Sequence, residues 1–396
     1  MAGGVAVISS FGPQDAYLTV NPEITLFKEL YNRHTPFGRE MFELQMNGSS
    51  SFGQTTFVEV QRTGDLVGEM FLKVKTPVLT GTATQAWVKE LMHFITKYHE
   101  IEISGHRIDK IYGFMYSAMV ALTQAPGKKE GYAEMIGDTP EMTLEQASIA
   151  SQTLYLPLRF WFNMRPGSFL PIIAINRHKI HIHFEFEQFD NLYKTSTGSV
   201  VTPAELKNVC LLVNYIFLDT AERRQFARVP HEYLIETHQY TGVANTGLST
   251  TLTNRLDGFH HPVSEIVTVM RLKAQEQAKN WYSFARPDGS HILQSMKFML
   301  NGNEYEREQQ ANYNSNVVPF MRHTNIPVGH KKVYIHDIAL APENFQPSST
   351  LNFSRASQTS MEYTFRFSED TNVYTFGKNK NVLRVISGMA GPAYQN

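Results

Sequence analysis

Three histidines lie within six positions of the segment RHKIHIHFEFEQF, residues 177–189: His178, His181 and His183. Three imidazoles this close could bind a transition metal, because neutral imidazole is a common metal ligand. Over residues 180–187, however, apolar and polar types alternate strictly, as in a β-strand with one buried face. Such a strand supplies two ligands at most of the four that a structural zinc site needs. We therefore predict a half-buried strand whose polar face meets water or a neighbouring chain, with no structural metal at His181 and His183.

Other residues that could do chemistry are few. The pairs His260–His261 and Arg322–His323 lie in turn-like segments, and we interpret them as residues that shape the backbone. Cys210 is the single cysteine, which excludes an internal disulfide, and its apolar neighbours predict a buried, reduced thiol. No serine-hydrolase elbow, zincin motif, phosphate-binding loop or dinucleotide-binding motif is present. The sequence thus predicts a protein that is not an enzyme, with no catalytic residues and no cofactor.

Two asparagines match the N-glycosylation pattern: Asn47 in Asn-Gly-Ser and Asn352 in Asn-Phe-Ser. The pattern is used only if the chain enters a secretory route. Residues 1–15 have no positively charged region ahead of their short apolar run, so we expect no secretory signal there. No apolar run approaches the roughly 18 residues of a membrane-spanning helix. Asn47 and Asn352 are therefore candidate glycosylation sites and no more.

The composition favours a β-rich protein with large buried or intermolecular surfaces. Of its 396 residues, 12% are aromatic and only 18% are charged. The length allows two domains with substantial cores. The formal net charge is −1, whereas a large electrostatic surface for nucleic acid needs a basic excess. We therefore expect no direct sequence-specific binding of nucleic acid.

Runs typical of β-strands recur along the whole chain. They lie at residues 40–46, 55–61, 68–75, 99–104, 153–162, 180–187, 209–218, 232–240, 264–273, 295–302, 332–340, 361–367 and 381–387. Helical patterns are few: residues 110–123, residues 143–151 with a candidate N-cap at Thr143, and residues 219–227 with one at Asp219. The chain is predicted to be all-β, with a few short helices in loops.

The runs of the first half recur in the same order in the second half. Leu154 and Val333 begin comparable apolar strands 179 residues apart, and Val209 and Val382 lie 173 residues apart. Similar offsets in one order indicate two copies of a β-domain of about 180 residues. Eight short strands per copy are typical of a sandwich or jelly roll.

Four long segments resemble the major capsid proteins of nucleocytoplasmic large DNA viruses. They are FGPQDAYLTVNPEITLFKELYNRHTPF (11–37), LYLPLRFWFNMRPGSFLPIIAINRHKIHIHFEF (154–186), the block that runs from LNGNEYER to NFSRAS (300–357) and NVLRVISGMAGPAYQN (381–396). The segments stand in the family's order and reach both ends of the chain, which is far more specific than a short motif. Three positions depart from the residue types common in the family: Asn32, Pro36 and Pro392.

The resemblance implies a fold of two tandem eight-stranded antiparallel jelly rolls. Together with the repeat, it predicts an extended N-terminal arm (1–24), a first jelly roll (25–218), a linker (219–230) and a second jelly roll (231–396). It also implies a homotrimeric, pseudo-hexagonal capsomer that builds the icosahedral shell of a large double-stranded DNA virus. The implied partners are further copies of the chain, neighbouring capsomers, and minor capsid and penton proteins. The implied location is the virion, close to an internal viral membrane, after assembly in the host cytoplasm.

Two alternative functions remain open at the level of sequence. The first is a minor or paralogous double jelly-roll capsid protein of the same virus class, which sequence separates poorly from the major one. The second is a carbohydrate-binding or carbohydrate-active β-sandwich. A carbohydrate-active sandwich would need paired carboxylates about 5 to 10 Å apart in a cleft, and a carbohydrate-binding one would need exposed aromatic platforms.

Overall fold

The computed structural model describes residues 3–196, 201–202 and 204–394. The chain forms two compact units, Met1–Pro36 and Phe37–Asn396.

Antiparallel strands make up most of the larger unit. They are, in chain order, β1 (Phe37–Gln45), β2 (Thr55–Glu59), β3 (Leu66–Lys75), β4 (Leu79–Trp87), β5 (Thr96–Ile103), β6 (His106–Tyr112), β7 (Gln146–Ile149), β8 (Thr153–Pro157), β9 (Ile180–Phe186), β10 (Tyr193–Thr195), β11 (Lys207–Leu218), β12 (His231–Asn245), β13 (Thr251–Arg255), β14 (Pro262–Leu272), β15 (Leu293–Leu300), β16 (Asn303–Glu304), β17 (Gln309–Gln310), β18 (Val333–Asp337), β19 (Leu351–Asn352), β20 (Thr359–Phe365), β21 (Thr371–Ile386) and β22 (Met389–Pro392).

The α-helices are short and lie between strands or in the N-terminal unit. They are α1 (Gly3–Ser9), α2 (Ala16–Thr19), α3 (Leu91–Phe94), α4 (Gly113–Thr123), α5 (Lys129–Ile136), α6 (Pro140–Thr143), α7 (Thr220–Arg228), α8 (Lys273–Gln277) and α9 (Val318–Arg322).

Before helix α7, the strands form two four-stranded sheets and a smaller one. The sheets have the orders β1-β11-β3-β8, β2-β9-β5-β6 and β10-β4-β7. Their alternate side chains meet in one apolar core, which includes Leu72 of β3, Leu211 of β11 and Phe184 of β9, all fully buried. Burial of one face of each sheet explains why these strands alternate in sequence.

After helix α7, a similar pair of sheets follows. The orders are β12-β21-β14-β18, with β19 beside β14 and β22 beside β21, and β13-β20-β15-β16, with β17 beside β15. The core between them includes Ile266, Phe298 and Tyr363. Strand β14 is buried on both faces from Val263 to Leu272. Four polar side chains of this strand are buried with the apolar ones, so its sequence shows no strict alternation of apolar and polar residues.

The two halves of the larger unit pack against each other through apolar side chains. Phe114 of α4 lies with its ring centroid 5.1 Å from that of Tyr240 and 4.8 Å from that of Tyr374. Ile235 and Val267 from the second half belong to the same buried cluster as the first-half core. This part of the junction is therefore packed like a protein interior.

The helix predictions had mixed outcomes. The pattern at 110–123 is confirmed by α4, and the cap at Asp219 is confirmed, since its carboxylate accepts the Glu222 N–H at 2.9 Å at the start of α7. The helix predicted over 143–151 is wrong: α6 ends at Thr143, and the residues of β7 pair with β4. Pairing with an available sheet edge outweighed the weak local helical preference of this segment.

The N-terminal unit differs from the extended arm that the sequence predicts over residues 1–24. The helices α1 and α2 occupy part of that range, and none of their residues is buried. Pro13 and Pro22 each follow one of these helices. Proline disfavours the continuation of an α-helix, so neither helix can extend far beyond its observed end.

Candidate functional site

Strand β9 carries the histidines that first suggested chemistry. Its burial alternates strictly, with Ile182 and Phe184 fully buried and His181 and His183 on the opposite face. The strand lies between β2 and β5 in its sheet. The prediction of a half-buried strand is confirmed.

The sheet brings a carboxylate to these histidines that no local pattern indicates. Glu102 of β5 lies directly opposite His181, 3.6 Å from its Nδ1, and another Glu102 oxygen lies 3.2 Å from His183 Nε2. The ring of Phe57 on β2 covers both imidazoles, with centroids 5.2 and 5.6 Å away. The three polar side chains form a half-buried pairing of one carboxylate with two imidazoles.

This triad offers three ligand atoms within 4.8 Å of one another. A structural zinc site is closed by four ligands, whereas this group of described residues supplies three. The prediction that His181 and His183 hold no structural metal stays a prediction, and elemental analysis can decide it.

His323 has a different environment from the turn that the sequence predicts. Its side chain is 1% exposed, and its two ring nitrogens lie 3.1 Å from Glu265 and 3.0 Å from Glu343. Burial by itself would lower the pKa of His323, but the two carboxylates outweigh it and raise the pKa to about 9. His323 is thus a buried imidazolium held between two carboxylates. The interpretation of His260–His261 as residues that shape the backbone is better supported. His261 has a φ of 65°, which lies in the left-handed region found mainly in turns.

Two further buried polar clusters join the halves of the larger unit. The backbone N–H of His238 donates to Asp109 at 2.8 Å, and the His238 imidazole lies 3.2 Å from the same carboxylate. At the second cluster, Lys331 lies 2.8 Å and His93 lies 3.0 Å from Glu90. Burial would raise the pKa of Glu90, but these two partners hold it well below its usual range.

Sequence reasoning missed both clusters for a simple reason. Asp109 and His238 are 129 positions apart, and Glu90 and Lys331 are 241 apart. No periodicity or motif links residues at such separations. Removing Lys331 would leave the buried carboxylate of Glu90 without its ammonium partner, so this contact helps to fix how the two halves meet.

The remaining predicted residues lie at separate places. Asn47 and Asn352 are both exposed, and the Asn352 carboxamide oxygen accepts the Ser354 N–H at 3.0 Å. Their glycosylation stays a prediction. Cys210 on β11 is buried and unpaired, and burial raises the pKa of its thiol. The predicted burial of this thiol is confirmed, and its reduced state stays a prediction.

Within residues 3–196, 201–202 and 204–394, every helix is too short or too polar to cross a membrane.

Comparison with known families covers nearly the whole chain. Residues 25–219 match the family model described as the N-terminus of the major capsid protein. Residues 222–391 match the model described as the large eukaryotic DNA virus major capsid protein.

Two viral major capsid proteins are similar in sequence to this chain along their full lengths. The major capsid protein of Pyramimonas orientalis virus is 34% identical over 423 aligned residues, with 100% of each chain covered. That of Paramecium bursaria Chlorella virus 1 is 31% identical, again with 100% of each chain covered.

Solved structures support the same fold. The crystal structure of PBCV-1 VP54, fitted into a cryo-EM reconstruction of the virophage Sputnik, superposes with a TM-score of 0.83 at 26% identity. It covers 94% of this chain and 100% of that one. The Faustovirus major capsid protein has a TM-score of 0.82 at 14% identity, with 97% and 96% covered, and shows the fold alone.

The predicted fold class is confirmed: the chain is all-β, with two tandem jelly rolls and short helices. The family consists of structural virion proteins, so the chain is a capsid component and not an enzyme. The chain belongs to the family of major capsid proteins of large eukaryotic DNA viruses.

Proposed function

We propose that three copies of this chain form a homotrimeric, pseudo-hexagonal capsomer that tiles the icosahedral shell of a large double-stranded DNA virus. The observation that carries the proposal is the repetition of one sandwich architecture on either side of α7. Three copies with two similar halves each present six similar walls, and closed symmetric association can then fill a hexagonal lattice.

The division of the chain follows the same proposal. We assign residues 1–24 to an N-terminal arm, 25–218 and 231–396 to the two jelly rolls, and 219–230 to the linker. Helix α7 supports the linker, since none of its residues is buried and its start is capped by Asp219. Its Phe226 packs against a small apolar cluster of the first half, and a mostly exposed, self-capped helix is suited to connect two domains.

The N-terminal unit supports a role in contacts between chains. It exposes many large apolar side chains, including Ile8 at 81%, Tyr17 at 95%, Leu18 at 86% and Phe27 at 97%. Apolar surface of this density is typical of a segment that another surface covers. The proposed occupants of that surface are neighbouring copies of the same chain.

The wider partners are neighbouring capsomers, minor capsid and penton proteins, with assembly in the host cytoplasm close to an internal viral membrane. A net charge of −1 supports dense lateral packing, because it limits repulsion between many identical copies. A minor or paralogous capsid role is distinguished by abundance: in quantitative mass spectrometry of purified virions, this chain should be the most abundant protein.

Native mass spectrometry or light scattering on purified protein tests the trimer. We expect an obligate trimer whose interfaces exceed about 2,000 Å² per pair. Deletion of residues 1–24 should reduce assembly while leaving the melting temperature of the unassembled chain within a few degrees, because α1 and α2 bury no residues. A stable folded monomer at micromolar concentration, with no trimer even beside virion partners, would overturn the proposal.

A further inference from the structure

A cavity of about 260 Å³ lies between the two halves of the larger unit. Arg159 and Arg165, which line it, come from the part of the chain before α7, and three further cations come from the part after it. Its five cationic lining residues are Arg159, Arg165, His323, Lys378 and Lys380. Cations from distant parts of the chain thus converge on one small space.

The carboxylates of the cavity are already paired. Glu236 accepts from Lys378 at 2.7 Å and also bonds Lys380, so one carboxylate serves two ammonium groups. The other two carboxylates flank the protonated His323, as described above. Where both lysines are protonated, below about pH 7, five positive charges therefore face three negative ones, and two positive charges remain uncompensated.

The two arginines carry this excess. Arg159 donates to the hydroxyl of Thr123 at 2.7 Å, and Arg165 donates to the backbone carbonyl of Glu343. Both acceptors are neutral, and no carboxylate oxygen of the described residues lies within 4.0 Å of either guanidinium. Each guanidinium has five N–H donors, so most of their donors are free for a ligand.

The lysines respond to the same excess. Burial, together with the charges of Lys380, Arg159 and Arg165, lowers the pKa of Lys378 to about 7. Burial and Arg165 lower the pKa of Lys380 to about 8. Ordinary lysines titrate near pH 10.4, so burial and the neighbouring cations outweigh the pairing of both ammonium groups with Glu236.

We propose that this cavity binds a small inorganic oxyanion with two negative charges, such as hydrogen phosphate, between the two halves of the chain. Guanidinium groups match the geometry of tetrahedral oxyanions through paired N–H donors. The volume is below the roughly 300–1,000 Å³ of pockets for drug-sized ligands, which favours an inorganic ion over a nucleotide. The bound anion would tie Arg159 and Arg165 to Lys378 and Lys380 across the junction, whatever the assembly state.

Isothermal titration of the full-length protein with sodium phosphate tests the proposal, at an ionic strength held constant with sodium chloride. We expect one phosphate per chain and a melting temperature that rises with phosphate but not with equivalent chloride. Sulfate should act like phosphate, because it has the same shape and a similar charge. ADP should bind more weakly, since the cavity has no room for a nucleoside; tighter binding of ADP would overturn the assignment to an inorganic ion.

Two variants and one matched control locate the site. Arg165→Gln and Arg159→Gln should each weaken phosphate binding at least tenfold. Arg224→Gln, which removes the same charge from an exposed position of α7, should leave it unchanged. In phosphate-free buffer the two cavity variants should be at least as stable as the wild type, because each removes an uncompensated charge. A purely structural role for the arginines would instead lower stability in both buffers.

Three results would overturn the proposal. One is equal stabilisation by phosphate and chloride at matched ionic strength. Another is unchanged phosphate affinity in Arg165→Gln. The last is an equal loss of affinity in Arg224→Gln, which would indicate an adventitious ion only.

Discussion

Replacing His323 with glutamine tests the energetics of the buried ion cluster in the second half of the chain. The imidazolium lies between Glu265 and Glu343, and its pKa rises from the ordinary 6.5 to about 9. A raised pKa in the folded state means that the proton stabilises the fold. That stabilisation is complete below about pH 6.5 and is lost as the pH rises through about 9.

The magnitude follows from the shift. One pKa unit corresponds to about 1.4 kcal/mol, so the protonated histidine contributes ~3 kcal/mol at pH 6, to order of magnitude. The side chain is 1% exposed, so solvent screens little of this. Lys378 lies 3.6 Å from a Glu265 oxygen and offsets part of the loss in the variant. We therefore expect His323→Gln to lower the free energy of unfolding by about 3 kcal/mol at pH 6, at the low end for breaking a buried ion pair.

Urea unfolding at pH 6 and pH 9.5, at one protein concentration and in chloride buffers, measures this. The difference between wild type and His323→Gln should shrink by most of its value at the higher pH, because the wild-type imidazole is then neutral. His106→Gln, at an exposed histidine of β6, should show little effect at either pH. A His323→Gln penalty that is the same at pH 6 and pH 9.5 would refute the reasoning.

Other predictions concern separate parts of the chain. Phe184→Ala should cost about 3–5 kcal/mol in urea unfolding, because it empties a fully buried site, whereas His183→Ala on the opposite face of β9 should cost about 0.5 kcal/mol. Asp219→Ala should cost about 1 kcal/mol by removing the cap of α7, and Asp219→Ser should recover most of that in the same assay. Cys210 should react with a thiol reagent only as fast as the protein opens; rapid stoichiometric labelling of folded protein would contradict its burial. Elemental analysis should find no stoichiometric zinc in the purified protein. Stoichiometric zinc that is lost when His181 and His183 are both changed to alanine would show the metal prediction to be wrong.

Local sequence patterns were sufficient to predict the structure where one physical cause acts on residues close together in the chain. Burial of one sheet face makes β9 alternate, so its strand state and the sides of Ile182 and His183 follow from sequence. The cap at Asp219 also acts within one turn of its own helix. The helix expected at 143–151 failed because β7 forms by pairing with β4, about 60 residues away in the chain.

The sequence by itself determined that this chain is all-β, that its two halves repeat one architecture, and that it resembles a capsid family. Only the tertiary structure decided which charges meet. Glu102 reaches His181 and His183 because β5 lies beside β9, and His323 becomes a buried cation because two distant carboxylates surround it. The apolar–polar alternation of a strand arises because its apolar side chains all face a common core, whichever residues they contact there. An ion pair depends on the positions of two particular side chains, and only the folded chain sets those positions.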